Sequence, residues 1–358
     1  MFFYNYTKGF QKYLLTRPLK FCCERYSLMN VVQLPIAESP IIGLHYLAYP
    51  LNILLNYEDC MPWFYSNYIQ LVLSKDFSIP LTFYPNSFST NPLLGCHVMV
   101  KEIIQNNNIN IHNFIMERIN NKDYFYSTFD EFYVPNRFFF NKDHFNHDFM
   151  IYGYDSHKME YDLMGFDENR NYASSKISFL QFEKAFFSDS SKTGFIHLLS
   201  KRDNVKYDFD LRLVFEMLDD YYNSRNSSEK VRMNGCLLVN RVFGLEVYKY
   251  LKEYFKFLMC EDFDSDIRLL HILYEHKKCM LMRLEYMYKN NYINDNSYIY
   301  DGYKYIEQET FKTKAQHLKY IVGGKKRCLS QLVDSLSEIE QKESELIERL
   351  MNEIYHKL

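Results

Sequence analysis

Residues 146–167 read NHDFMIYGYDSHKMEYDLMGFD. His147, Phe149, Ile151 and Gly153 alternate along the first run, DSHK supplies a polar turn, and 159–166 is a second run able to return alongside the first. An antiparallel β-hairpin is the expected result. If it closes symmetrically about Ser156 and His157, residue 147 lies opposite 166.

The flanks extend this reading. Downstream, SFLQFEKAFF at 178–187 opens with serine and has glutamine three residues later, the signature of a capping box on a short helix. Upstream, 124–140 is aromatic and mixed, and 98–105 reads as a helix ended by the asparagines at 106–108. Pro80, Pro85 and Pro92 mark 76–95 as loop with short strands. In NYEDCMPWFYSNYIQLVLSKD at 56–76, Asp59 is a candidate cap and Pro62 suits a first turn. The pattern predicts a helix beginning at Cys60 or just after it that carries Trp63, Tyr68, Ile69 and Leu73 on one broad stripe. Residues 30–55, punctuated by Pro35, Pro40 and Pro50, read as extended segments and turns.

Beyond residue 205 the pattern turns helical, with segments expected at 208–222, 236–257, 265–288 and 324–358. YYNSRNSSEK at 221–230 reads as a linker or exposed loop. The last segment resembles a surface helix or short coiled coil. The expectation is an α+β protein, with an α+β core over 1–200 and a mainly helical region over 201–358 packed on it.

Composition narrows the function. The 358 residues carry a net charge of -3, which argues against a generic nucleic-acid binder. There is neither a GxGxxG nor a GxxxxGK[ST] sequence, and no apolar run reaches 18 residues. The start, MFFYNYTKGFQKYLL, makes a poor signal peptide, so a cytoplasmic location is expected. The eight cysteines, at 22, 23, 60, 96, 236, 260, 279 and 328, form no CxxC pair, which leaves free thiols and one candidate nucleophile.

That candidate is Cys60. A cysteine at a helix start meets unpaired backbone N–H groups and the positive end of the dipole, and both favour thiolate. Glu58 and Asp59 act the other way. His147, at the start of a strand, is the candidate base, and an acid should orient it. Asp162 shares its face by parity but lies four residues away along the strands unless the hairpin bulges. Asp167 is nearer in register on the other face. Asp148 follows the histidine directly, and Asp155 sits in the turn.

CMPWFYSNY at 60–68, NHDFMIYGYDSHKMEYDLMGFDENRNY at 146–172, ISFLQFEKAF at 177–186 and LLHILYEHKKCMLMRLEYM at 269–287 together resemble a papain-fold family. This is the family around the N-terminal domain of the butirosin biosynthesis acyltransferase, whose members occur beside non-ribosomal peptide synthetase genes and include the closthioamide amide-forming type. The resemblance implies a papain-like cysteine-protease fold with additional C-terminal helices. It implies Cys60 as nucleophile, His147 as base and Asp162 as orienting acid. The implied activity is acyl transfer from a carrier-protein thioester to an amine, forming an amide in specialised metabolism; a cysteine peptidase or thioesterase is the alternative, and a non-catalytic interaction protein a third reading. No intrinsic cofactor is implied. The substrate would arrive on the phosphopantetheine of an acyl or peptidyl carrier protein, and a homodimer is compatible. Papain-like enzymes usually place a glutamine before the cysteine as oxyanion donor. Here the region reads LNILLNYEDC, which offers Asn56 or Asn52.

Three further features have plain readings. YFYSTFDEFY at 124–133 and RFFF at 137–140 fit either an acyl tunnel or core strands. His271 and Glu275 share a helix face without HExxH or HxxEH spacing, which suggests packing and a salt bridge with Lys277, Lys278 or Arg283. GGKKR at 323–327 is a small basic cluster suited to a phosphate or an acidic partner.

Overall fold

A computed structural model describes residues 31–358 apart from 86–87, 233–236, 262–264, 295–296 and 325, and apart from the side chain of residue 89. The opening segment, Cys22, Cys23 and Cys236 lie outside the described residues.

The expected hairpin is the centre of the larger sheet. Strand β6 (Asn146–Asp155) turns through 156–159 into β7 (Glu160–Phe166). Their register is Met150 opposite Met164 and Ile151 opposite Leu163; a bulge follows, after which Gly153 faces Asp162. Extended to His147, this register reaches Asp167, one residue beyond the symmetric expectation. The full order is β4 (Leu94–Val100), β9 (Phe195–Lys201), β5 (Tyr124–Asp130), β6, β7 and β8 (Tyr172–Ser178), and every pairing is antiparallel. A short β1 (Val31–Gln33) pairs the far end of β6.

One face of this sheet is covered by α5 (Phe179–Phe187), which carries the expected capping box between Ser178 and Gln181. Phe182 and Phe186 of α5 pack edge-on or tilted against Phe125 and Phe129, so much of the 124–133 aromatic run is core. The other face is covered by α1 (His45–Leu54), a helix where extended chain was expected. Its register is set by burial: Leu47, Ala48, Leu51 and Leu54 recur at helical spacing and are all buried. Pro50 lies inside it and removes one intrahelical donor.

Two segments differ from expectation in kind. Residues 94–100 form β4, and only Glu102–Asn106 (α3) is helical there. The helix at Cys60 is α2 (Met61–Ser66), just six residues long, and the apolar run behind it becomes strand β2 (Gln70–Ser74) with all five residues buried. Between β4 and β5 the chain forms α4 (Ile111–Asn120).

The C-terminal part contains α6 (Leu211–Tyr222), α7 (Val247–Cys260), α8 (Arg268–Lys289), α9 (Ser297–Gly323) and α10 (Arg327–Tyr355). It also contributes β10 (Arg241–Phe243), which pairs with β2, and β2 pairs with β3 (Thr82–Tyr84) in a second, three-stranded antiparallel sheet. The expected linker at 221–230 instead packs, with Ser227 and Ser228 buried. The α8 side chains reach back to the N-terminal half: Arg283, fully buried, donates to the carbonyls of Tyr65 at 2.7 Å, of Tyr68 at 3.2 Å and of Asn67. The result is an α+β fold with two sheets, neither closed into a barrel. Among the described residues, no helix is long and apolar enough to cross a membrane.

Candidate functional site

The site forms where α1 begins over the open end of β6. Glu275 of α8, itself buried, accepts the backbone N–H of Ile42 at 2.6 Å and of Gly43 at 3.0 Å, and so fixes the chain just before the helix. Glu275 is also 3.0 Å from His271 Nε2, one turn earlier on α8. The salt-bridge partner is thus His271, not a lysine or Arg283. A Cβ at position 43 would lie 2.8 Å from the Ile272 terminal methyl, 3.0 Å from the His271 ring and 3.2 Å from Glu275 Oε2, so these side chains would have to give way.

Held in this way, α1 presents His45 to the sheet. Its Nδ1 lies 3.2 Å from Asp148 Oδ1, and its ring stacks on Phe166 at 4.8 Å. The other Asp148 oxygen accepts the Tyr126 hydroxyl at 3.0 Å. Burial alone raises the Asp148 pKa, but the His45 hydrogen bond, the two nearby imidazoles and Tyr126 outweigh it and hold the carboxyl below its ordinary range. His147 lies 4.9 Å from His45 between ring centres, with Nε2 3.7 Å from Asp148 Oδ1. Its Nδ1 is 2.9 Å from Oε1 of buried Glu131, which belongs to a single 3-10 turn, Glu131–Tyr133, after β5. A carboxylate there selects, in the neutral ring, the tautomer with its hydrogen on Nδ1.

These groups line a cavity of about 570 Å³. Phe138, Phe139, Phe145 and Phe166 supply apolar wall, and Asp167, Arg170, Arg268 and His271 supply charge and polarity. Part of the RFFF segment is therefore cavity lining. Among the described residues, no cysteine lines it.

Cys60 is elsewhere. It does begin a helix, α2, but that helix start does not meet the hairpin. The thiol is fully buried beside Asp59, 3.8 Å away, and Asp59 pairs with Lys201 at the end of β9 at 2.9 Å. Strand registers place Lys201 and His147 about seven positions apart along β5, roughly 24 Å. The ten-residue length of α1, about 15 Å, separates them in the same sense. Burial first, and the Asp59 charge second, push the Cys60 thiol up to about 11, opposite to what a nucleophile needs.

Asp162 is also not with His147. It faces Gly153 beyond the bulge and accepts Lys176 at 2.7 Å. The bulge that the expectation required exists, but it adds its extra residue on β6 and leaves Asp162 far from the strand's open end. Asp167 lines the cavity while its carboxylate is engaged by the backbone N–H groups of Asn169 and Asn171. Asn56 is spent on carbonyls of its own neighbourhood, those of Asn52, Ile53 and Pro35. Asn52 donates to Ala37 and accepts from Tyr172.

His147 is therefore the one expected site residue at this cleft, and His45, Asp148 and Glu131 join it. No family model matches the chain, and neither does any curated protein.

Proposed function

We propose that this chain is a papain-like protein whose cleft at the start of α1 transfers an acyl group from an activated carbonyl donor to a small nucleophile without a cysteine intermediate. The observation that supports this reading is His147: it lines a cavity with four phenylalanines in its wall, a carboxylate lies at its Nδ1, and its Nε2 lies 3.7 Å from Asp148 Oδ1. The resemblance to papain-fold acyltransferases supplies the reaction class and the scaffold. In that scaffold a helix start faces a strand histidine; here the helix is α1, and its first residue is His45.

The chemistry follows from these groups. An amine attacks a thioester carbonyl directly, and His147 Nε2 takes the amine proton as the C–N bond forms. Glu131 supports the imidazolium. The C–S bond then breaks and the imidazolium returns the proton to the departing thiolate, so that amide and thiol leave a neutral enzyme. Water in place of the amine gives the hydrolase reading with the same residues. The phenylalanines receive the acyl group, and Arg170 suits the phosphate of a carrier-protein arm, whereas Arg268 is paired with Asp266.

The test is thiol release from an aromatic acyl N-acetylcysteamine thioester, with and without a primary amine. His147→Gln loses about 10²-fold or more, and Cys60→Ala, folded by circular dichroism, retains the activity. A folded but inactive Cys60→Ala protein that fails to form the acyl adduct seen in the parent chain returns the nucleophile to Cys60 and overturns this reading.

A further inference from the structure

We propose that His45, His147 and Asp148 form a binding site for one divalent transition-metal ion of the zinc class. One nitrogen of each imidazole and one carboxylate oxygen all lie within 4.8 Å of one another. The Asp148 oxygen sits 3.2 Å from His45 Nδ1 and 3.7 Å from His147 Nε2. Zinc held at about 2.0–2.1 Å in a tetrahedron needs ligand atoms about 3.4 Å apart, so two of the three edges already match. Two imidazoles, one carboxylate and an open side toward the cavity make a donor set suited to zinc, cobalt or nickel rather than magnesium or calcium.

The surroundings are those of a built site. Glu131 accepts from the remote nitrogen of His147, the outer-shell arrangement that orients metal-binding imidazoles. Tyr126 occupies the second Asp148 oxygen, so the first, which meets His45 Nδ1, is the one that would bind the ion in place of that hydrogen bond. His45 is only 5% exposed, and its Nδ1, the nitrogen that meets Asp148, is the one that would bind the ion; its buried Nε2, which has no hydrogen-bond partner, would then carry the ring's proton. His45 is held for this role from outside the cluster, by Glu275 on the backbone of Ile42 and Gly43.

The site stands on this geometry alone. Its consequence for activity rests on the function proposed above: an ion on Nε2 of His147 takes the lone pair that would accept the amine proton, so the ion inhibits acyl transfer. Zinc would act as a reversible brake on the cleft.

The experiment titrates the purified full chain with Co²⁺, followed by its visible absorption, and with Zn²⁺ by calorimetry. One ion per chain is expected, with cobalt bands of four- or five-coordinate intensity. His45→Ala and His147→Ala abolish saturable binding, Asp148→Asn weakens it at least tenfold, and Glu131→Gln weakens it about tenfold or more as an outer-shell partner. His157→Ala, altering an exposed turn histidine, leaves binding unchanged. Glu131→Gln and Asp148→Asn conserve shape, so the outcome does not depend on the alanine variants folding. The site is overturned if no saturable one-to-one binding occurs, or if binding survives both Asp148→Asn and His147→Ala. Binding as expected in a chain without acyl transfer keeps the site and removes the proposed function. Zinc that binds and leaves acyl transfer unchanged, or raises it, overturns the brake.

Discussion

Replacing Glu343 with alanine tests what holds the helical part together. Glu343, on α10, is fully buried and accepts Lys277 Nζ of α8 at 2.6 Å on both oxygens. It also accepts the hydroxyls of Tyr248 at 2.7 Å and Tyr221 at 3.2 Å, from α7 and α6. Four helices therefore meet on one carboxylate. Removing one partner of a buried ion pair costs about 3–5 kcal/mol, because the other charge is left uncompensated. The Tyr248 hydroxyl loses its acceptor as well, at about 1–3 kcal/mol, so the upper end of that range, about 5 kcal/mol, is expected. Burial already lowers the Lys277 pKa, and Glu343 opposes that shift; without Glu343 the amine sheds its proton more readily, which keeps the loss from rising further. Against a typical total stability of about 5–15 kcal/mol, Glu343→Ala is severely destabilised. The paired change Lys277→Met with Glu343→Leu removes both charges and should recover most of the loss. Urea unfolding followed by circular dichroism at 222 nm reads both. A single variant within about 1 kcal/mol of the parent chain, or a double variant as unstable as the single, would refute the reasoning.

Other expectations are narrower. Glu275→Ala loses the anchor on Ile42 and Gly43 and should weaken cobalt binding at His45 at least tenfold, whereas Glu275→Gln keeps an acceptor oxygen and should stay near the parent value. Cys60 should react far more slowly than exposed Cys260 with a maleimide in the native chain, since burial and Asp59 push its thiol up to about 11; equal labelling by peptide mass spectrometry would contradict its placement. Lys101 is buried, and burial lowers its pKa to about 7 from an ordinary value near 10.5. The unfolded chain then binds more protons between those values, so stability rises with pH across that window, by at most about 1.4 kcal/mol per pH unit. Urea midpoints at pH 6.5 and 8.5 should show this rise in the parent chain and a smaller one in Lys101→Met.

Where local pattern and burial agreed, the sequence was a sound guide. The 146–166 hairpin and the 179–187 helix each carry their own punctuation, a polar turn and a capping box, and both form. The site was less legible. Asp148 directly follows His147, and strand alternation sends neighbours to opposite faces; only because His147 sits at the open end of β6 do both reach the same cavity. His45 was hidden by Pro50, which made a helical apolar stripe read as extended chain. The register beside α2 failed for another reason: LVL in β2 is buried on both faces, and such runs have no period that separates strand from helix. Helix α9 was missed because its buried face mixes Gly302, Thr310, Thr313 and His317 with Ile299 and Ile306. Gly302 is required where Leu346 of α10 packs within 2.7 Å of where its Cβ would be.

The three-stranded sheet has a consequence for how the chain is made. Its central strand, β2, is finished by residue 74, but the partner on one edge is β10, at residues 241–243. During synthesis β2 therefore waits for more than half of the remaining chain, with β3 on one side and nothing on the other. For that interval it is an apolar strand with an open row of hydrogen-bonding groups, the kind of edge that pairs with other chains. The carbonyls of Tyr65, Asn67 and Tyr68 wait still longer, for Arg283. A product truncated near residue 205 should thus collect as aggregate rather than as a smaller soluble protein, and slowing translation beyond residue 75 should lengthen the time the nascent chain spends bound to chaperones.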